Sequence, residues 1–381
     1  MWLYLTIFFV VVILYAATIR NPQSKGTLMG VMAFLGIFVG ISDMLGGYDR
    51  YIYGACFDEL TDAMHDGRSI YTLALFRMYA KEFGYCLLNF GVGLLTSNRY
   101  IFILVVSLII YICLYFSFKR HTNNYAFAVI LFLGLWFFFS FTYLRQVLGA
   151  SIAWLAIRYV IERDLKRFLI VVFVAATFHN SAIIFLPLYF IPVKSFNKRT
   201  ILIVMGVLLA LGLTGGPAAL FNAYGEAMED SRVVENLQDT SGFRIAYFIE
   251  ATFFLFLILK NYDLITETEE RTVMTNAALI FCGILLFFVK SENGGRLSWY
   301  YMVGIISTLT YIATWQRQVA NTAMVLIFVS LFLYVRIYNS WQVYLNLYPY
   351  KTFFSNGYIE GDYSWQHYEY DHNYDVDKFY R

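Results

Sequence analysis

Charged residues are scarce in this chain of 381 residues. Asp, Glu, Lys and Arg make up 14% of it, whereas the apolar set makes up 60%. Ordinary soluble domains contain about 25% charged and about 45–50% apolar residues. This balance excludes a soluble enzyme, a disordered chain and a nucleic-acid-binding protein, and it predicts an integral membrane protein.

Several motifs of soluble catalysis are missing as well. The sequence has no Walker A loop, no GxSxG elbow and no HExxH helix, which argues against an ATPase, a serine hydrolase and a zinc protease. The four cysteines show no CxxC or Cys/His spacing, and the carboxylates show no EF-hand spacing. We therefore expect no metal site, no disulfide framework and no cofactor.

Long apolar runs bounded by charges organise the chain. They predict an all-α, polytopic integral membrane protein with about 10–12 transmembrane or half-membrane helices. The predicted membrane domain covers residues 1–340, with outer loops at 46–99 and 215–243, and a Tyr- and Asp-rich tail at 341–381 is expected at the outer face.

The basic residues predict the orientation of these helices. No basic residue precedes the first run, whereas Arg20 and Lys25 follow it, so its N-terminus is expected outside and the helix uncleaved. Propagating that orientation places most basic loop residues in the cytoplasm and the long acidic segments outside, as the positive-inside rule requires.

The apolar stretch 168–193 has two interpretations. As one continuous helix it would reverse the orientation of everything after it and place Lys194, Lys198 and Arg199 outside. As two half-helices that meet at 178–182, it keeps them inside, and each half is too short to cross about 30 Å of hydrocarbon. We favour the broken pair, as a re-entrant or cavity-lining hairpin, because broken backbone at membrane depth is tolerated beside a polar cavity.

Three arginines depart from the charge rule. Arg145, Arg244 and Arg296 each stand at the outer start of an apolar helix, where the sidedness rule and the helix dipole disfavour a cation. A single arginine can snorkel to lipid headgroups, which is the structural alternative for each of them. Together, and with Lys290, they predict a site for a lipid-linked phosphate or diphosphate.

His179 lies at the apex of the broken pair, on the same predicted face as the arginines. An imidazole suits a general base near neutral pH, although a lone histidine in an apolar run is more often a hydrogen-bonded structural residue. Asn180 and Ser181 are expected to cap the second half-helix.

The first outer segment begins with Tyr48, Asp49 and Tyr51. Tyrosine rings stack on apolar sugar faces and carboxylates accept hydrogen bonds from hydroxyls, so the segment predicts a sugar-binding edge. The alternative is a solvated acidic loop. In the sugar-binding interpretation, Asp49 is the rival general base.

Short motifs follow one another in a fixed order along the chain. They are Gly47–Tyr51 (GYDRY), Phe141–Gln146 (FTYLRQ), Phe178–Ala182 (FHNSA), Leu186–Phe190 (LPLYF), Gly295–Tyr301 (GRLSWYY) and Tyr348–Lys351 (YPYK). In this order they resemble the EpsG family of Wzy-like exopolysaccharide polymerases, and the resemblance covers roughly residues 1–355.

This resemblance implies a Wzy/GT-C-like glycosyltransferase in the bacterial inner membrane. Such polymerases join oligosaccharide repeat units, carried on undecaprenyl diphosphate, into capsule, exopolysaccharide or O-antigen at the outer face. Chain-length regulators and other polysaccharide-assembly proteins are implied partners, beside membrane lipid, and no nucleic acid is expected.

The resemblance also implies roles for the candidate residues. Arg145 and Arg296 would stabilise charge on the departing diphosphate, with His179 or Asp49 taking the acceptor proton. The substrate-binding residues would be Arg244, Lys290, Tyr48, Tyr51 and Gln146.

Two other functions stay open on the residues alone. A ligase that moves a finished glycan from undecaprenyl diphosphate to an acceptor would use the same site chemistry. A flippase or transporter would need coupling carboxylates deep in the membrane, for which Asp43 and Glu250 are the candidates.

Overall fold

The computed structural model describes residues 1–44, 48–220, 242–291, 293–314, 320–342, 347–348 and 350–354. Within these ranges the chain is helical and contains no β-strand, apart from an isolated bridge between Ser42 and Thr352. The prediction of an all-α protein is confirmed. Most of the expected outer loop at 215–243 and most of the tail at 341–381 lie outside the described residues.

Most of the longer helices coincide with apolar runs of the sequence. In chain order they are α1 (Trp2–Ala17), α2 (Lys25–Gly40), α3 (Tyr48–His65), α4 (Ala74–Met78), α5 (Phe83–Gly93), α6 (Arg99–His121), α7 (Tyr125–Leu135), α8 (Phe139–Thr142), α9 (Leu144–Trp154), α10 (Ile157–Ile161), α11 (Leu165–Phe178), α12 (Pro187–Phe190), α13 (Lys198–Leu213), α14 (Ile245–Lys260), α15 (Tyr262–Ile265), α16 (Glu269–Phe287), α17 (Asn293–Ser298), α18 (Met302–Thr314) and α19 (Ala320–Gln342). Short 3-10 helices lie at Ile70–Thr72, Asn180–Phe185 and Trp299–Tyr301. The segment 46–99, expected as an outer loop, is largely helical because α3, α4 and α5 fall within it.

Four helical segments of the described chain are long and apolar enough to cross a membrane. They are Arg99–His121, Leu144–Ile161, Glu269–Phe287 and Asn321–Trp341. Shorter apolar helices, among them α1, α2 and α7, accompany them. This arrangement confirms the prediction of a polytopic membrane protein.

The chain divides into two compact units, a division that the sequence did not predict. Unit 1 comprises Met1–Ala156, Leu169–Ile183 and Arg317–Arg381, and unit 2 comprises Ile157–Phe168 and Ile184–Gln316.

Two glycines in unit 1 allow α2 to lie directly against α6. A Cβ on Gly36 would meet the Cβ of Tyr111 at 3.1 Å, and a Cβ on Gly40 would meet the Cα of Leu104 at 3.1 Å. Their spacing of four residues puts both glycines on one helix face. Small residues at this spacing are typical of membrane helix pairs, in which close packing rather than the hydrophobic effect holds the helices together.

An aromatic cluster joins α1 to α19 in unit 1. The ring centroids of Phe138 and Tyr334 are 4.6 Å apart, and those of Tyr4 and Tyr338 are 5.2 Å apart. The Tyr334 hydroxyl donates to the carbonyl of Tyr4 at 3.0 Å, which satisfies a polar group that is otherwise buried.

Residues 350–354 pack against the end of α2, although the sequence assigned them to the tail. Lys351 Nζ lies 2.9 Å from Asp43 Oδ2, and both side chains are buried. The Tyr350 ring stacks on Phe38 with centroids 4.3 Å apart. The buried Arg50 donates to the carbonyls of Gly40 and Ser42 at 3.1 and 2.7 Å. Arg50 of the motif at 47–51 and Lys351 of the motif at 348–351 therefore lie in one buried cluster with Asp43.

In unit 2, α16 is the central helix, with α13, α14 and α18 packed on it. Gly304 of α18 lies against the backbone of Ala278, where a Cβ would come within 2.5 Å of the amide nitrogen. The Tyr262 hydroxyl accepts a hydrogen bond from the Phe196 amide at 2.8 Å, and the Thr275 hydroxyl donates to the Ile265 carbonyl at 3.0 Å.

Candidate functional site

The helix break predicted at 178–182 is present in the structure. Helix α11 ends at Phe178, and a 3-10 helix begins at Asn180. Between them, His179 Nδ1 and the Ser181 hydroxyl are 2.7 Å apart, and the His179 ring is half-buried. This bond orients the imidazole. The return of the second half toward the same membrane face stays a prediction.

Glu82 connects this break to Arg145. Its Oε1 accepts a hydrogen bond from the Asn180 amide at 3.0 Å, and its Oε2 forms an ion pair with Arg145. Only 8% of the Glu82 side chain and 16% of the Arg145 side chain are exposed. The Glu82 carboxylate therefore neutralises a nearly buried cation and also satisfies a backbone amide that the helix break leaves without a helical partner.

Three tyrosines surround the Arg145 guanidinium. Its Cζ lies 3.9 Å from the ring centroid of Tyr79, 5.4 Å from that of Tyr53 and 5.7 Å from that of Tyr85. These distances allow cation–π attraction, which strengthens when the site is desolvated. Arg145 Nε is buried and has no hydrogen-bond partner among the described residues. Arg145 lies in the first turn of α9, at the predicted helix start, but its charge is already balanced inside the protein.

Two small residues permit this close arrangement. Gly84 of α5 lies directly against Thr177 of α11, and Gly149 of α9 lies against His179, whose Cβ would be 3.1 Å from an added Cβ. Helix α5, which Glu82 directly precedes, and helix α9, which carries Arg145, can thus approach the C-terminal end of α11. A larger side chain at either glycine would force the helices apart.

Asp49 is associated with the same cluster through α3. It lies in the first turn of that helix, and its charge acts on the hydroxyls of Tyr53 and Tyr79. Burial raises the pKa of both tyrosines, opposed by the nearby Arg145 cation, and Asp49 adds to the rise. Both phenols are therefore protonated at neutral pH.

Three other candidate residues also belong to unit 1. Gln146 is buried next to Arg145, and Tyr51 is half-buried in α3. Tyr48 begins α3, and its side chain lies outside the described residues. A sugar-binding role for Tyr48, Tyr51 and Gln146 stays a prediction.

The remaining basic candidates gather at one end of unit 2. The amide of Arg244 donates to the Val289 carbonyl at 2.8 Å, and Lys290 Nζ donates to the Leu213 carbonyl at 2.9 Å. Arg244 lies over the Tyr247 ring at 5.9 Å, and Arg296 is also within electrostatic reach of that hydroxyl.

We call Arg244, Lys290 and Arg296 the basic cluster. The side chains of Lys290 and Arg296 are exposed, and that of Arg244 is half-buried. Of the four cations expected in one anion site, Arg145 belongs to unit 1 and the basic cluster to unit 2. That the four form one site stays a prediction.

Sequence reasoning missed Glu82. It is the acidic residue directly before the short apolar helix α5, and a carboxylate at that boundary was the available signal. The ion pair itself could not be predicted from the sequence, because Glu82 and Arg145 are 63 residues apart in the chain.

The fold and these sites define an all-α polytopic membrane protein with a buried arginine–carboxylate cluster beside a broken helix. The chain belongs to the EpsG family, whose family model matches residues 27–352. No curated protein and no solved structure matches it. Family membership suggests a polysaccharide polymerase-like, glycosyltransferase-like role and a place in polysaccharide biosynthesis at a membrane.

Proposed function

We propose that this protein polymerises oligosaccharide repeat units carried on undecaprenyl diphosphate into a surface polysaccharide, by glycosyl transfer at the outer face of the bacterial inner membrane. The observation that carries the proposal is the EpsG family match over residues 27–352. The product is a capsule, an exopolysaccharide or an O-antigen. A chain-length regulator and other polysaccharide-assembly proteins are the expected partners.

The reaction requires one bond to form and one to break. A hydroxyl of the incoming repeat unit attacks the anomeric carbon of the growing chain, and the bond from that carbon to the diphosphate oxygen breaks. The acceptor proton passes to a general base, and the negative charge leaves with the lipid diphosphate. The reaction therefore requires a general base and cations that stabilise the charge of the leaving diphosphate.

His179 is the proposed base, with Asp49 as its rival. Taking a proton at Nε2 requires the tautomer in which Nδ1–H donates to the Ser181 oxygen, at the observed 2.7 Å. Asp49 lies near the tyrosines that surround Arg145, and it is half-buried. Both candidates lie in unit 1.

The basic cluster is the proposed binding site for the diphosphate. Its guanidinium groups offer planar pairs of donors that match phosphate oxygens, and the ammonium of Lys290 adds a third positive charge. Arg145 is assigned a different role. Because it is paired with Glu82, we propose that it keeps the helix break, and hence His179, in position.

The environment of Asp43 favours a polymerase over a coupled transporter. A coupling carboxylate must exchange protons or ions during transport. Asp43 is instead 2.9 Å from Lys351, and its Oδ1 accepts hydrogen bonds from the Tyr100 hydroxyl at 3.0 Å and from the Met44 amide at 2.7 Å. These contacts fix the carboxylate within the fold by one ion pair and two hydrogen bonds.

A profile of lipid-linked glycans in a deletion strain tests the proposal. Single repeat units that accumulate on the carrier at the outer face are the expected result, and the wild-type gene should restore long chains. Long polymer that stays on the lipid would identify a ligase. Repeat units trapped at the inner face would identify a flippase, and an unchanged profile would reject all three functions.

A further inference from the structure

Unit 2 contains a large apolar cavity that the proposed chemistry does not use. Its volume is about 940 Å³, and it is lined mainly by apolar side chains of α13 and α16, including Met205, Leu208 and Leu279. Among its lining residues, Thr200 and Asn276 contribute polar side chains. The Asn276 amide donates to the Pro192 carbonyl at 3.3 Å. Such a lining offers water few partners and suits an apolar occupant.

The lining of the cavity extends along α16. Its lining runs from Asn276 to Phe288, which at about 1.5 Å per residue corresponds to roughly 18 Å. This length exceeds half of the hydrocarbon thickness of about 30 Å. The cavity is therefore long enough for an extended section of a lipid chain.

One end of the cavity lies next to the basic cluster. Phe287 and Phe288 line that end, and Val289 and Lys290 follow them directly. The Val289 carbonyl accepts the Arg244 amide, and Gly294, two residues before Arg296, lies against Phe288. One end of an apolar chain bound in the cavity would thus lie next to the positive charges of the basic cluster.

We propose that this cavity binds the polyprenyl chain of the lipid-linked substrate, with the diphosphate headgroup at the basic cluster. The inference rests on the proposed function, which supplies the identity of the lipid. Charge favours this occupant over a bilayer phospholipid, because three cations match the several negative charges of a diphosphate better than the single charge of a phosphodiester. All the residues named for the site belong to unit 2.

A pair of glycine variants provides a matched test. Gly283 lines the cavity, and a side chain there would project toward Leu208, whose Cδ1 lies 2.9 Å from the Cβ position. Gly206 is exposed on α13, and nothing lies within 4 Å of its Cβ position. Gly283→Leu should narrow the cavity, whereas Gly206→Leu makes the same chemical change outside it. Both gain helix propensity, so a difference between them reports on the cavity.

The measurement is photo-crosslinking of the purified full-length protein with a polyprenyl diphosphate that carries a photoreactive group on its chain. Labelled peptides from α13 and α16 are expected in the wild type and in Gly206→Leu. Labelling should fall about tenfold in Gly283→Leu, the change expected when one or two methylene groups lose their contacts. Unlabelled polyprenyl diphosphate should compete, and phosphatidylglycerol at the same excess should not.

Three results would overturn the inference: equal labelling of the two glycine variants, equal competition by phosphatidylglycerol, or labelling confined to other helices. The binding test needs no turnover, so its outcome is separate from that of the proposed function. Specific labelling of a protein whose deletion leaves the glycan profile unchanged would preserve the lipid site and reject the polymerase.

Discussion

The candidate cations of unit 1 and unit 2 have different environments. In unit 1, Arg145 is almost enclosed, paired with Glu82 and faced by three tyrosine rings. In unit 2, Arg296 and Lys290 are exposed beside the half-buried Arg244. A buried cation needs a compensating partner, whereas an exposed cation keeps its hydration until a ligand replaces it. The comparison separates a cation enclosed by its partners in the protein from cations whose side chains are wholly or partly exposed.

The largest expected effect is on the proposed base in unit 1. His179→Ala should reduce polymer formation by about 10²–10⁴-fold, the usual contribution of general-base catalysis, while the amount of protein in the membrane stays the same. The assay is the polymer made by a deletion strain that carries the variant, with Asp49→Asn as the comparison. Loss of activity in Asp49→Asn alone would transfer the role to Asp49. Loss of the His179→Ala protein from the membrane would make the histidine structural.

Removal of the Glu82 carboxylate should mainly affect stability. Glu82→Ala leaves Arg145 buried without its counter-ion, and breaking a buried pair in this way costs about 3–5 kcal/mol. The thermal unfolding of the purified protein measures the loss. Because Arg145→Met removes the uncompensated charge, the double variant should recover part of it.

Glu162 provides the matched control for this experiment. It pairs with Arg158 at 3.0 Å on an exposed helix face, where such a pair is worth about 0.3–0.5 kcal/mol. Equal destabilisation by Glu82→Ala and Glu162→Ala would contradict the structural role of the buried pair.

Removal of a cation from the basic cluster should instead affect the reaction. Arg296→Ala should lower the rate by about 10²–10³-fold, as is typical when a positioned charge-stabilising group is lost. Stability should change little, because the side chain is exposed. Arg199→Ala removes an equally exposed arginine from the start of α13, at the other end of that helix from Leu213, and should leave the polymerisation rate unchanged. An equal loss in both variants would mean that overall charge, rather than the cluster, is responsible.

The smallest of these effects is expected for Arg145→Lys. Lysine keeps the charge but loses the planar fork and the stacking on Tyr79, a change of about 1–2 kcal/mol in stability. Shorter polymer at normal protein levels is the expected phenotype, since the helix break at His179 would be held less firmly. Normal polymer length together with unchanged stability would show that Arg145 neither stabilises the fold nor holds the helix break at His179 in position.

Composition and apolar runs predicted most of the fold. They identified the long apolar helices, the break at His179 and the membrane class, because lipid imposes helical structure and a minimum span on the sequence. They missed the helices within 46–99, which was expected as an outer loop. They did not predict the two units or the burial of Lys351 against Asp43, because both depend on contacts between distant segments.

The candidate site was only partly predictable for the same reason. The charge rule identified the four unusual cations, but it could not distinguish Arg145, whose partner is Glu82, from the exposed members of the basic cluster. An unusual charge in a membrane protein identifies a candidate structural or functional residue. Its role as a structural group or a ligand-binding group is decided by the tertiary environment.

Polymerisation reconstituted with the purified protein tests the central claim most directly. The substrate is a repeat unit on undecaprenyl diphosphate, and both chain length and released lipid diphosphate are measured. The account predicts that one lipid diphosphate leaves for each new glycosidic bond and that chains grow beyond a single unit. Release without chain growth, or chain growth without release, would contradict it.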